Sequence, residues 1–196
     1  NIMPTHGWFA TPVYVDQLEG DEYKQVQQEL FLAYEKLEFG QNPAWSGDTH
    51  ELNENPFNQD IVTKLECNKF LQVLDNHLNL YLDQIECDTN REYRIDNSWF
   101  TKTKTGQYAH SHDHGSSDIS GVYYLQTNRN DGHLMLQTPN QVAVSNFVYG
   151  VVNREMEFPL SQGIIGLWPG NLVHRTETNK TGDDRVSLSF NVRYER

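Results

Sequence analysis

The sequence predicts a mainly β fold with flanking helices, a sandwich or jelly roll, and three observations carry that prediction. Beyond Asp88 the chain breaks into short runs rich in β-branched and aromatic residues, separated by turn signals. Before Arg91, apolar residues recur at three- and four-residue spacing over two stretches. Aromatic residues are plentiful, with 10 Tyr, 9 Phe and 4 Trp, which favours β architecture. Helices first and strands afterwards place the helices against one face of a sheet.

Trp8 to Val15 is a short apolar-aromatic stretch whose Pro12 suits an edge strand. Asp21 to Leu37 carries Val26, Leu30, Leu32 and Leu37 with few breakers and is predicted helical. Gly40 to Asn58, rich in Gly, Asn and Pro, reads as a long loop of the length that can act as a lid. Asn58 to Glu86 is the strongest helical segment: Ile61, Leu65, Phe70, Leu71, Leu74, Leu78, Tyr81, Leu82 and Ile85 recur mostly at three- and four-residue spacing. Asn58 and Asp60 suit its N-cap. The predicted strands are Tyr93 to Thr103, Ser120 to Thr127, His133 to Gln137, Val142 to Val152, Gly163 to Trp168 and Arg185 to Tyr194. Turn signals divide them at Asn128 to Gly132, Pro139-Asn140, Pro169-Gly170 and Asn179 to Asp184. Such regular spacing of short strands is that of a sandwich or jelly roll.

At 196 residues with 37% hydrophobic content, the chain has the length of one domain with a real core. We read residues 1–196 as one domain, with 1–90 a mixed helical support region and 91–196 the strand-rich core that carries the site. Nothing approaches the roughly 18 consecutive apolar residues of a membrane span. The first residues lack the basic and apolar regions of a signal peptide. Cys67 and Cys87 fit neither a zinc module nor a disulfide scaffold, so a reduced, cytoplasmic protein is expected (the host cytoplasm for a viral one). Without a secretion signal, the sequon Asn179-Lys180-Thr181 is discounted as a glycosylation site. The net charge of −12, with Lys and Arg scattered, repels polyanions, so nucleic acid is a poor partner. Neither membrane binding nor nucleic-acid binding is expected, and a homodimer is left open.

The strongest chemical signal is His110-Ser111-His112-Asp113-His114. In an extended segment, residues 110, 112 and 114 point to one face, and two imidazoles one residue apart can reach one metal. His174 is the natural further ligand. It follows an apolar run and the Pro169-Gly170 turn, 60 residues after His114. The bland alternative is a polar surface loop. His6 and His50 read as surface residues, His77 as a flank of the apolar helix face, and His133 as a turn residue opening a strand.

The second signal is Arg185 to Val192. Alternation puts Arg185, Ser187, Ser189 and Asn191 on one face and Val186, Leu188, Phe190 and Val192 on the other. An Arg with a hydroxyl beside it suits a carboxylate, because the fork pairs bidentately and the hydroxyl adds a donor. An ordinary half-buried strand with a wet polar face is the alternative. Arg185 lies 11 residues after His174 across a Gly-Asp-Asp turn, a spacing that returns it beside a metal.

These residues together resemble the 2-oxoglutarate/Fe(II) oxygenase superfamily. Its members carry a His-x-Asp/Glu pair, a distal His and an Arg-x-Ser about ten residues later. More narrowly, His112-Asp113-His114-Gly115-Ser116-Ser117-Asp118-Ile119-Ser120-Gly121-Val122-Tyr123-Tyr124-Leu125 is similar to a family of such oxygenases from bacteria and their viruses, with a His-x-His element followed by Ser-Gly-Val-Tyr-Tyr. Phe9 to Val15, Asn97-Ser98-Trp99 and Trp168-Pro169-Gly170 add to the resemblance, which is strongest from Asn97 to Val192. It implies a double-stranded β-helix, the cupin-like jelly roll, with helices on its larger sheet. It implies Fe(II) as metal, 2-oxoglutarate as cosubstrate and room for ascorbate. His112 and His174 match the metal-ligand positions, Arg185 and Ser187 those that bind the distal carboxylate of 2-oxoglutarate, and Tyr124 a strand Tyr of the prolyl-hydroxylase branch. The implied reaction is hydroxylation of a peptidyl side chain or small metabolite, with release of succinate and CO2.

The departure is at His114, which stands where most of the superfamily has a carboxylate. Either three His form the site, or Asp113 or Asp118 turns inward; the part of His110 is left open. A three-His set is neutral and also suits zinc or copper. Two further readings follow: a cupin-like metal dioxygenase that does not use 2-oxoglutarate, and a non-catalytic jelly-roll binding module.

Overall fold

The computed structural model describes residues 10–41, 48–50, 59–88, 90–139 and 154–195. Two antiparallel sheets face each other. The larger runs, in spatial order, β1 (Tyr14–Gln17), β9 (Ile164–Pro169), β6 (Ile119–Gln126), β11 (Arg185–Tyr194), β4 (Tyr93–Thr103), β3 (Asp48–His50) and β2 (Phe39–Gln41). The smaller runs β5 (Ala109–His112), β10 (His174–Thr176), β7 (Leu134–Gln137) and β8 (Glu155–Glu157). Helices α1 (Gly20–Tyr34), α2 (Ile61–Lys64) and α3 (Asn68–Gln84) pack on the outer face of the larger sheet.

The alternation of β11 organises the molecule. Val186, Leu188, Phe190 and Val192 turn outward into a core with Leu30, Phe70, Leu74 and Leu78 of the helices. Phe70 meets Phe190 and Tyr123 edge-on, at 5.7 and 6.0 Å between ring centroids. Burying each such ring contributes about 2–3 kcal/mol. A second cluster, including Val122, Tyr124, Leu136, Phe158 and Trp168, fills the space between the sheets. Gly121 makes the outer packing of β6 possible, because a Cβ there would lie 2.4 Å from the Phe190 ring.

The predicted long helix is two helices. Asp60 caps the first by accepting from Thr63 N at 3.3 Å, and the chain breaks at Glu66, whose φ is +56°. The carboxylate of Glu29 on α1 then accepts from Lys69 N and Phe70 N, at 3.0 and 2.8 Å, and satisfies the exposed amides that start α3. The first predicted helix ends at Tyr34 rather than Leu37. The predicted edge strand lies at Tyr14–Gln17, and its Trp8 and Phe9 fall outside the described residues, as does the predicted strand Val142 to Val152. The predicted loop from Gly40 contributes to the edge strands β2 and β3. Among the described residues no helix is long and apolar enough to cross a membrane.

Asn179 of the discounted sequon is fully buried. Its amide donates to Thr103 O and Asp183 O and its oxygen accepts from Thr181, so it ties the turn before β11.

Candidate metal centre

His112 ends β5 and His174 opens β10, directly opposite it in the ladder. The pairing skips between His174↔His112 and Thr176↔Ala109, so one strand carries an extra residue there. That bulge breaks the simple alternation expected over 110–114. Ala109 and His112 face the interior, whereas the exposed His110 side chain packs against Tyr108.

His114 follows on the turn after β5. Its amide donates to Gly170 O at 2.8 Å, and Gly170 N donates to Asp118 O at 3.2 Å. The Pro169-Gly170 turn therefore clamps both ligand-bearing loops together. A Cβ on Gly170 would sit 2.2 Å from Ser117 O, so only glycine permits this approach.

The ligand nitrogens of His112, His114 and His174 all lie within 4.8 Å of one another. Their ring centroids are 4.3–5.2 Å apart. His112 Nδ1 lies 2.7 Å from His110 O, and His174 Nδ1 lies 2.8 Å from Leu172 O. His114 Nδ1 lies 2.5 Å from Asn191 Oδ1 and 3.1 Å from Ser120 Oγ. Each Nδ1 faces an oxygen, and a ring protonated at Nδ1 presents its Nε2 lone pair, as a metal-ligating imidazole does. Neither acid joins the cluster: Asp113 Oδ1 accepts from Gly115 N and Asp118 Oδ2 from Tyr194 N.

Burial disfavours the charged form of all three rings. It pushes His174 down to about 3, helped by the neighbouring imidazoles, and His112 down to about 4; His114 is also lowered. The unfolded chain takes up these protons near pH 6.5, and the folded metal-free protein does not. Stability is therefore complete above pH 6.5 and lost as the pH falls toward the folded values. His174 alone removes about 2 kcal/mol by pH 5. Urea denaturation of the metal-free protein at pH 7 and pH 5 measures this, and the pH slope is shallower in His174→Ala. Equal wild-type stability at both pH values contradicts it.

The same three rings border a cavity between the sheets that also reaches Tyr124, Arg185 and Ser187. Arg185 is 2% exposed. Its Nη1 donates to Asp131 O at 3.1 Å and to Gly132 O, and its Nη2 lies 3.3 Å from Thr103 Oγ1. Its Nε is buried without a partner among the described residues. The Nε–Nη2 edge is thus the part of the fork left for a carboxylate. Ser187 pairs across the ladder with Tyr124 on β6 and Thr101 on β4. Burial pushes the Tyr124 phenol up to about 12, against the lowering effect of the nearby Arg185 guanidinium, so it stays a hydrogen-bond donor at neutral pH. The residues that the sequence reading singled out therefore come together, except His110, Asp113 and Asp118. The roles of Asn97, Ser120 and Asn191 were not read from the sequence, although Asn97 and Ser120 lay in the resembling motifs and Asn191 was placed on the correct face.

The fold is a double-stranded β-helix, and between its sheets lies a cluster of three histidines that could hold a metal ion. Residues 97–191 match the family described as "Putative 2OG-Fe(II) oxygenase". No curated protein matches the chain in sequence. Among solved structures, it is similar to HygX from Streptomyces hygroscopicus, crystallised with nickel and 2-oxoglutarate, at 15% identity and TM-score 0.63 over 93% of this chain and 82% of that one. A prolyl-4-hydroxylase from Pseudomonas putida aligns at 15% identity and TM-score 0.60, covering 95% and 94%. An oxidoreductase of the 2OG-Fe(II) oxygenase family from Burkholderia pseudomallei aligns at 12% identity and TM-score 0.61, covering 91% and 92%. At these identities the likeness is one of fold, the double-stranded β-helix of these oxygenases.

Proposed function

We propose that the protein is an Fe(II)- and 2-oxoglutarate-dependent dioxygenase in which His112, His114 and His174 hold the iron. Arg185, Ser187 and Tyr124 hold the far carboxylate of 2-oxoglutarate. One observation carries this reading. A cluster of three neutral imidazoles and a buried Arg whose Nε has no partner among the described residues border the same cavity. The donor set fits a divalent ion, and the free guanidinium edge fits a dianionic cosubstrate. A cupin-like dioxygenase without 2-oxoglutarate has no use for that buried cation, and a binding module has no use for the imidazoles.

When bound, iron and 2-oxoglutarate supply oxidative decarboxylation to succinate and CO2, coupled to hydroxylation of a substrate. The chain's own part is to place and exclude. His112 and His174 are aimed by backbone carbonyls two residues earlier, those of His110 and Leu172. Arg185 neutralises the cosubstrate's charge where water does not reach. Trp168, packed edge-on to His174 at 5.3 Å, walls the metal side of the cavity.

A second, open cleft lined by Asp96, Asp113, Ser116 and Arg193 reaches His112 and His114 from outside and is the approach for substrate. A peptidyl side chain or a small metabolite fits such an opening, and the net charge of −12 argues against nucleic acid. The whole chain acts as one oxygenase domain. Unpaired cysteines, Cys67 buried and Cys87 exposed, suit the cytoplasm.

The test is anaerobic titration of the Fe(II)-loaded protein with 2-oxoglutarate, read by the weak visible metal-to-ligand band that chelation produces. A saturable band is expected. Stoichiometric iron without a band transfers the assignment to the cupin-like reading, and no bound iron transfers it to the binding module.

A further inference from the structure

The three imidazoles are not held alike. His112 and His174 each direct Nδ1 at a backbone carbonyl two residues earlier, at 2.7 and 2.8 Å. A carbonyl can only accept, so the backbone itself sets the ligating tautomer of these two rings. His114 has no such partner. Its Nδ1 meets the side-chain amide of Asn191, 77 residues later, at 2.5 Å. An amide can present either its oxygen or its NH2 group. With NH2 facing the ring, Nδ1 would have to accept, the proton would move to Nε2, and His114 could not ligate.

Three strands fix the amide. Asn191 on β11 is directly opposite Asn97 on β4 and Ser120 on β6. Asn191 Nδ2 donates to Asn97 Oδ1 at 2.6 Å, which turns Oδ1 toward the ring. The Ser120 hydroxyl donates to that same oxygen at 2.7 Å. Asn191 and Ser120 are buried, at 4% and 0% exposure, so water does not compete for these contacts.

We propose that Asn191 is a positioning residue that selects the metal-ligating tautomer of His114, with Asn97 and Ser120 holding its amide in the required orientation. The inference rests on the metal-site reading above. It explains how an imidazole serves where a carboxylate, which needs no tautomer, is the common solution. The ligand set this completes is three neutral nitrogens for a divalent transition metal.

The test has two readouts on the full chain. In metal-free protein with 15N-labelled histidine, long-range 1H–15N NMR identifies which ring nitrogen of His114 carries the proton, the signal being assigned by its loss in His114→Gln. Zn(II) affinity is measured separately by chelator competition. The wild type is expected to carry the His114 proton on Nδ1. Asn191→Leu, similar in branching but without the acceptor, moves population to the Nε2–H form and weakens Zn(II) about 10–100-fold. Asn191→Asp keeps the acceptor, stays Nδ1–H and binds within about threefold of the wild type, a rescue expected from the oxygen's role. An Nε2–H wild type overturns the proposal, as does a folded Asn191→Leu with unchanged tautomer and affinity. Should Asn191→Leu fail to fold, the wild-type spectrum and Asn191→Asp decide. A wild type that binds no Zn(II) defeats the metal-site reading instead, while the tautomer in the metal-free protein still judges Asn191.

Discussion

His174→Ala is expected to abolish stoichiometric Fe(II) binding and with it all turnover. A four-ligand structural zinc site is worth roughly 10–16 kcal/mol, so one imidazole accounts for about 3 kcal/mol, or ~10²–10³-fold in affinity. The loss should exceed any effect on folding. The ring is 5% exposed, and its packing partners are Trp168 at 5.3 Å and His112 at 4.3 Å, contacts worth little beside a metal bond. Removing it also relieves the desolvation that holds its pKa down. His110→Ala is the matching control: its ring packs outside the cluster, so affinity should stay within about twofold. Equilibrium dialysis of both variants with Fe(II) under argon makes the comparison. One equivalent of iron retained by His174→Ala would remove it from the ligand set.

What the sequence disclosed follows the physical range of each signal. β4 and β11 were read with their observed bounds, because long runs with β-branched and aromatic residues announce strands, and in β11 apolar and polar side chains also alternate. β5 and β10, which deliver His112 and His174, were not read as strands. They are four and three residues long, Ala-His-Ser-His and His-Arg-Thr, without apolar alternation. Their histidines were still legible as chemistry, since spacing and residue type survive without knowledge of the strand. His110 was misplaced by a bulge that only cross-strand register reveals. The break at Glu66 was hidden for a related reason. Apolar residues keep helical spacing through it, and nothing in Leu65-Glu66-Cys67 announces a left-handed backbone. Asn191 lay on the correct face, but its bond to His114 spans 77 positions and follows from three strands lying in register.

Arg185→Ala should raise the KM for 2-oxoglutarate by ~10²–10³-fold while leaving kcat at saturating cosubstrate within about tenfold. Hydrogen bonds to charged groups contribute about 1.5–3 kcal/mol each, and a bidentate carboxylate grip uses two. The split between the constants follows from position. Arg185 begins the inward-facing row of β11, and Asn191, at the far end of that row, touches His114, so in the proposed arrangement the guanidinium would grip one end of the cosubstrate and the metal the other. Arg185 also holds the Asp131 and Gly132 carbonyls, so Arg185→Ala costs stability as well. Arg185→Lys separates the two roles. It keeps a charge, but a point charge cannot form the Nε–Nη2 fork, so the KM should recover by no more than about tenfold. Ser187→Ala and Tyr124→Phe each remove one hydroxyl and should raise the KM about 3–30-fold. Steady-state assays of succinate formation across 2-oxoglutarate concentrations give these values, with melting temperatures run alongside. A wild-type KM in Arg185→Lys would mean that charge alone is recognised. A kcat loss at unchanged KM in Arg185→Ala would place the guanidinium at the reacting centre rather than at the far carboxylate.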